Sequence, residues 1–202
     1  GTRALDGVDL VLAPATSTAL VGANGSGKTT LAQHLDGLRR PTSGRVLLDG
    51  TDTARSRVAE LARVVGLCVQ LPDHQIFSST VRDEVEFGPR HAGFEAEAAF
   101  ARATAALERV GLADQLGTHP GDLGETRRKL LTIASVLAME TRVVVLDEPT
   151  IGLDALGVAL VRGIVRELVA EGRSVVGISH DLRFVAETFD RIVVLEAGRV
   201  SL

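Results

Sequence analysis

The chain has 202 residues, 45% of them apolar and 24% charged, with a formal net charge of −4. That is enough chain for one sizeable domain with its own core, and the balance excludes a disordered polypeptide. Six Phe with no Tyr and no Trp, together with the net acidity, count against stacking of single-stranded bases and against coating of nucleic acid.

The N-terminus opens Gly1-Thr2-Arg3 without an apolar signal core, and no 18-residue apolar run follows. Neither a secretory signal nor a membrane-spanning helix is expected. Short β-type runs come first, over residues 8–12, 17–21 and, after Pro41-Thr42-Ser43-Gly44, 45–48. Continuous apolar runs over 64–69, 142–146, 174–178 and 191–195 predict buried strands. Cys68, between Leu67 and Val69, reads as a buried strand thiol, and a single cysteine makes no internal disulfide. Residues 73–139 carry helical patterns without a clear strand. Within them Leu130, Ile133, Ala134 and Leu137 share one helix face. Leu156, Leu160, Ile164 and Leu168 recur at four-residue steps and predict another helix, stopped by Gly172. The alternation predicts an α/β fold with a mostly parallel sheet and a helical insertion.

The stretch Gly22-Ala23-Asn24-Gly25-Ser26-Gly27-Lys28-Thr29 matches G-x-x-x-x-G-K-[ST] and lies between a strand ending at Val21 and a helix opening Thr30-Leu31-Ala32. That context defines a phosphate-binding loop. Its glycines let backbone N–H groups turn inward on phosphates, and the helix N-terminus adds a favourable dipole. Lys28 would reach the β- and γ-phosphates of a nucleotide, and the Thr29 hydroxyl would ligate Mg²⁺. Among 22 basic residues only Lys28 and Lys129 are lysines.

Residues 142–146 end in Asp147-Glu148. A strand-end Asp beside a phosphate loop can hold Mg²⁺, and the following Glu148, on the other side of the pleat, can face an attacking water. Another predicted strand ends near His180, before a helix N-cap at Asp181. This His is either a phosphate or water contact or a plain strand-end residue. His34, His74, His91 and His119 show no metal-ligand spacing and read as structural or solvated.

Taken together, the order of motifs resembles the ATP-binding-cassette (ABC) ATPase family over essentially the whole chain. The phosphate loop is followed by Gln70 at the end of an apolar run, a helical insertion, Asp147-Glu148-Pro149-Thr150, Gly152-Leu153-Asp154 and His180. The resemblance implies a single P-loop NTPase domain over 1–202. Its nucleotide-binding α/β core would comprise 1–70 and 140–202, with an N-terminal antiparallel β portion and a helical subdomain over 71–139. It implies ATP and Mg²⁺ as ligands, with Gly22, Asn24, Gly25, Ser26, Gly27, Lys28, Thr29 and Thr30 on the phosphates. Thr29, Gln70 and Asp147 would serve the metal. It further implies Glu148 as catalytic base, His180 as switch histidine, Gln70 as a water contact, and Asp154 as a signal across a dimer interface.

A narrower match follows Gln70: Pro72-Asp73-His74-Gln75-Ile76-Phe77, then Thr80-Val81 and Glu86-Phe87-Gly88-Pro89. It is similar to the ATPases of energy-coupling-factor importers and their cobalt and nickel relatives. By that resemblance the chain works with a second ABC ATPase subunit, a transmembrane scaffold protein and a substrate-capture subunit, and not with nucleic acid. It would be cytoplasmic, peripheral on the inner face of the cell membrane, and would power uptake of vitamins or transition-metal ions. Thr80 and Asp83 also form a plain helix-capping pattern.

Two features depart from the family. Its signature, usually Leu-Ser-Gly-Gly-Gln at a helix start, falls here on Leu123-Gly124-Glu125-Thr126-Arg127. Leu123 and Gly124 keep the place of the nucleotide contact. The serine hydroxyl is gone, and a Cβ at Thr126 obstructs close backbone approach. Losing one or two charge-assisted hydrogen bonds, about 1.5–3 kcal/mol each, weakens closure on ATP. Glu125 either repels a triphosphate or complements a helix N-terminus, and Arg127, Arg128 and Lys129 are candidates to offset its charge. The expectation is an asymmetric pair: a heterodimer, or one half of a fused chain. Second, no aromatic precedes Phe77, where the family stacks adenine on one just ahead of this chain's start, and the chain stops at Leu202. The missing aromatic and the stop at Leu202 read as a trimmed or divided chain. The alternatives are a slow regulatory nucleotide-binding half and an ABC ATPase of DNA repair or translation.

Overall fold

A computed structural model describes residues 3–201; Gly1, Thr2 and Leu202 lie outside the described residues. The first strand, β1 (Ser17–Val21), is buried along its whole length and feeds the glycine loop, after which α1 (Lys28–Leu35) begins. A small antiparallel hairpin of β2 (Leu47–Leu48) and β3 (Thr51–Asp52) follows, then the one-turn α2 (Val58–Leu61) and β4 (Val65–Cys68). Three helices come next: α3 (Val81–His91), α4 (Ala96–Arg109) and α5 (Glu125–Leu137). The chain returns to the sheet with β5 (Val143–Asp147), α6 (Ala155–Ala170), β6 (Ser174–Ile178), α7 (Leu182–Thr188), β7 (Arg191–Glu196) and β8 (Arg199–Ser201).

The six-stranded sheet runs β4-β5-β6-β1-β7-β8, parallel throughout except for the terminal β7–β8 pair. Apolar side chains cover both faces of β1, β4, β5 and β6, which is why these strands read as unbroken apolar runs. By contrast β7, expected to be buried, turns only Val193 and Leu195 inward and leaves Ile192 and Val194 exposed. Along β1, Ala19 and Val21 enter the core on the helical-insertion side, and Leu20 enters the core on the side of α1. On β5, Val144 and Leu146 divide from Val145 in the same way. The expected strands are present within a residue or so at each end, and Ser17–Val21 and Ser174–Ile178 match residue for residue.

Two expected β-runs differ. Residues 8–12 form no strand. Leu10 and Leu12 pack on the core while Val11 is 79% exposed, so the alternation of faces is real although no neighbouring strand pairs with it. The run over 45–48 contracts to Leu47–Leu48. The antiparallel portion near the N-terminus is therefore only the four-residue β2–β3 hairpin.

Between β4 and β5 the described chain contains helices and short 3₁₀ turns and no strand. Leu130, Ile133, Ala134 and Leu137 of α5 are all buried, as their spacing predicts. Thr80 caps α3, accepting from the Asp83 N–H at 3.1 Å. The face expected for α6 needs correction. Leu156 is 80% exposed, and the buried stripe is Gly157, Val161, Ile164, Val165 and Leu168. Steps of four residues overshoot the 3.6-residue turn, so a strict four-residue row drifts off the buried face. Gly172 does stop the helix, in the left-handed conformation at φ +82°.

Cys68 is fully buried on β4, its Sγ 3.4 Å from the Thr132 hydroxyl, and burial pushes the thiol pKa up. Thiolate is the reactive form. An aromatic disulfide reagent at mildly alkaline pH should therefore label Cys68 only after denaturant is added. Rapid labelling of the folded chain would contradict this environment.

Candidate nucleotide site

The parallel sheet brings the carboxyl ends of β1, β4, β5 and β6 to one edge, where ligands bind in open α/β sheets. Gly22 leaves β1 at φ +150°, and a Cβ there would lie 2.1 Å from the Leu195 carbonyl oxygen on β7. Only glycine lets the two backbones meet this closely. The loop then turns into α1, whose N-cap Gly27 provides no side-chain cap. The first-turn N–H groups of α1 are thus left for an anion. A cavity of about 430 Å³ is lined by Gly22, Ala23, Asn24, Gly25 and Ser26 on one wall and by residues of β7 on the other. Lys28 is nearly buried, with Nζ donating to the carbonyls of Gly22 (2.8 Å) and Ala23 (3.0 Å). The Ser26 hydroxyl is buried without a partner among the described residues.

Two strands away, Asp147 ends β5 and meets α1. Its Oδ2 accepts from the Thr29 hydroxyl at 3.0 Å, while Oδ1 is buried and unpartnered among the described residues. Burial raises the Asp147 pKa and the neighbouring Glu148 charge adds to the rise; the Thr29 bond and the charges of Lys129 and Lys28 oppose it. An orphaned carboxylate oxygen beside a hydroxyl, in a desolvated and doubly acidic corner, fits a hard divalent cation of the Mg²⁺ type. Thr30 lies in the first turn of α1, where its carbonyl meets the His34 ring at 2.6 Å.

Glu148 does face a different direction from Asp147, but the pleat is not the cause. β5 ends at Asp147, and Glu148 stands in the left-handed region at φ +48°. A bulky side chain there costs about 1–3 kcal/mol and is held by its surroundings. The Glu148 backbone N–H donates to the Ile178 carbonyl at 2.9 Å. Its carboxylate is met by His180, whose Nδ1–H donates to Oε2 at 2.9 Å and whose backbone N–H lies 3.4 Å from the same oxygen. The pairing with Glu148 belongs to neither of the two readings open for His180, and Asp181 caps α7 as expected.

The remaining candidates lie nearby. Gln70 is exposed two residues beyond the end of β4, the strand that pairs with β5. Gly124 is the N-cap of α5 and Leu123 is buried beneath it. Thr126 Oγ1 donates to the Gly152 carbonyl at 2.8 Å, so the altered signature packs on the loop that follows Glu148. Asp154 caps α6, accepting from the Gly157 N–H at 2.8 Å. None of the hydrogen bonds among the described residues joins the signature segment to the phosphate loop.

Two of the three suggested charge partners of Glu125, Arg128 and Lys129, are engaged elsewhere. Arg128 pairs with Asp73 at 3.0 Å. Lys129 is 1% exposed and turned inward, donating to the carbonyls of Val69, Gln70 and Asp147. Its spacing held a clue, since it lies four residues before the buried Ile133 on one helix stripe. His34, His91 and His119 bond to nearby backbone, at Thr30, Phe87 and Gly121 respectively.

A glycine loop on β1, a lysine within it and a strand-end aspartate tied to the loop threonine define a P-loop nucleoside triphosphatase. The chain belongs to the ABC transporter family, whose model matches residues 5–151, and it is an ABC ATPase. It is 42% identical over 204 residues to the energy-coupling factor transporter ATP-binding protein EcfA2 of Symbiobacterium thermophilum, covering 99% of this chain and 70% of that protein. Of a longer curated relative it spans only 36%. Among solved structures, cbiO1 of Clostridium perfringens, part of the transporter complex cbiONQ, superposes with a TM-score of 0.89 at 35% identity, covering all of this chain and 82% of that one. A dimeric ATP-binding cassette bound to ADP and Pi superposes with a TM-score of 0.91 at 25% identity, over 100% of this chain and 90% of the other.

Proposed function

We propose that this chain is the ATP-hydrolysing subunit of an importer for vitamins or transition-metal ions. It would work as an asymmetric dimer with a second ABC ATPase, on a transmembrane scaffold protein that carries a substrate-capture subunit. It would sit peripherally on the cytoplasmic face of the membrane; no described helix is long and apolar enough to cross one. Residues 71–139 would be the helical subdomain and the remainder the nucleotide-binding core.

The observation that carries the reading is the pairing of Glu148 with His180 at 2.9 Å, which would be the hydrolytic pair, in a chain whose signature helix opens Gly124-Glu125-Thr126. The loop N–H groups and Lys28 would bind the β- and γ-phosphates. Thr29 and Asp147, with Gln70, would hold Mg²⁺, which when bound supplies positive charge against the phosphate oxygens. Glu148 would take the proton of the water attacking the γ-phosphorus, with His180 fixing its carboxylate. Likeness to EcfA2 and cbiO1 and the exposed Phe77 and Phe87, edge to face at 4.6 Å on the insertion, support docking on a membrane scaffold.

Asymmetry follows from the signature. In an ATP sandwich each nucleotide lies between one subunit's loop and the other's signature. The loop of this chain would meet an intact partner signature, while the reciprocal site, facing Glu125 and Thr126, would be slow. Turnover by the isolated chain should rise at least about tenfold per site when a partner ATPase with an intact Leu-Ser-Gly-Gly-Gln is added, reflecting the hydrogen bonds missing from this chain's own signature. Equal per-site rates with and without the partner, lost equally on Glu148→Gln, would sink the asymmetric reading. The observation favouring a slow regulatory half instead is the Thr126 bond to Gly152; no turnover in the assembled complex would select it.

A further inference from the structure

Twenty of the 22 basic residues are arginines, and both lysines stand at the nucleotide site. Each is held by backbone carbonyls rather than by a carboxylate. Lys28 bonds to Gly22 and Ala23; Lys129 bonds to Val69 (3.1 Å), Gln70 (2.9 Å) and, more weakly, Asp147 (3.4 Å). An ammonium is compact and carries three donors, which matches three converging carbonyls; a planar guanidinium does not fit such a cage. Burying that cation at 1% exposure costs several kcal/mol unless it is compensated, so its place is not incidental.

The three acceptors come from two strands. Val69 and Gln70 leave the end of β4, and Asp147 ends β5. The ammonium arrives from a third element, the first turns of α5. The two residues proposed to flank Mg²⁺ therefore share one buried cation through their backbones. We propose that Lys129 is a positioning residue of the ATP site. It fixes the spacing of Gln70 and Asp147, and it passes any movement of the signature helix to both at once. This rests on the reading of Gln70 and Asp147 as metal-side groups.

A neighbouring tie makes the point testable. Gln75 bonds the Val69 N–H and the Thr132 carbonyl, both at 3.1 Å. It keeps the segment after β4 attached to α5 but does not reach β5. A neutral residue at 129 should thus leave the fold standing and release only the Gln70–Asp147 link.

The test uses Lys129→Met and, beside it, Lys129→Gln, which keeps one donor. Hydrogen exchange is measured first, without nucleotide or metal. Amides of residues 69–71 and of Glu148 should exchange about tenfold faster or more, as expected for loss of charge-assisted bonds, while those of α4 and α6 are unchanged. The Mg²⁺ concentration giving half-maximal turnover should rise by about as much, while ATP affinity without metal stays put. Unchanged exchange at both segments, or unchanged Mg²⁺ dependence despite faster exchange, overturns the proposal. If only Lys129→Gln folds, the same local acceleration is required of it. A wild-type chain without turnover would count against the hydrolytic reading instead, and the exchange map would still decide the role of Lys129.

Discussion

Replacing Glu148 with Gln should lower ATP hydrolysis about 10²–10⁴-fold, the usual contribution of a positioned general base. Gln has the same length, and its amide oxygen can still accept from the His180 Nδ1–H that lies 2.9 Å from Glu148 Oε2. The left-handed backbone at φ +48° is also unaltered, because both residues have the same branching. What disappears is the basic oxygen that would take the proton of water. Nucleotide binding should survive, since the phosphate loop, Lys28 and the Thr29–Asp147 bond are untouched. The measurements are phosphate release in the assembled dimer and binding of a fluorescent ATP analogue. A variant that keeps more than about a tenth of the rate would remove Glu148 from the role of base, because that loss is smaller than any general base contributes.

The phosphate loop was legible because every element of it is local. The glycines, Lys28 and Thr29 are contiguous, and the apolar run before them has no alternative to being a buried strand. Asp147 was legible for the same reason, as the polar end of an apolar run. Glu148 was found for a partly wrong reason: alternation of faces predicts its direction only while the strand continues, and the strand stops one residue earlier.

Long-range pairing was less legible. The β-type run over residues 8–12 does place Leu10 and Leu12 inward and Val11 outward, yet a strand also needs a free edge beside it, and that is a property of the sheet. Lys129 shows another limit. Lysine is the residue least expected in a core, and in sequence Lys129 reads only as a candidate to offset the charge of Glu125. Only the folded chain shows carbonyls from β4 and β5 converging where its ammonium ends. The bond from Thr126 to Gly152 joins residues 26 apart in sequence and has no signature in either segment.

The second large effect is expected at Gly22, with Gly25 as its internal control. Both glycines lie in the phosphate loop at positive φ, +150° and +78° respectively, so Ala strains the backbone at either position. Their surroundings differ. A Cβ at Gly25 meets no heavy atom within 4 Å, whereas at Gly22 it would stand 2.1 Å from the Leu195 oxygen and 2.9 Å from Ser26 Oγ. The Ser26 hydroxyl can rotate away. The Leu195 carbonyl cannot, because β7 is paired on one side with β1 and on the other with β8. Gly22→Ala must therefore either displace the loop or open β1 from β7, next to the Val21↔Val194 pair. Strain and overpacking together should cost about 2–6 kcal/mol, against about 1–2 kcal/mol for Gly25→Ala. For a chain of this size each kcal/mol lowers Tm by about 2–4 °C, so thermal unfolding should separate the two variants clearly. Equal Tm values would mean that the loop and β7 are not in contact as described, and the wall of the phosphate cavity formed by β7 would have to be redrawn.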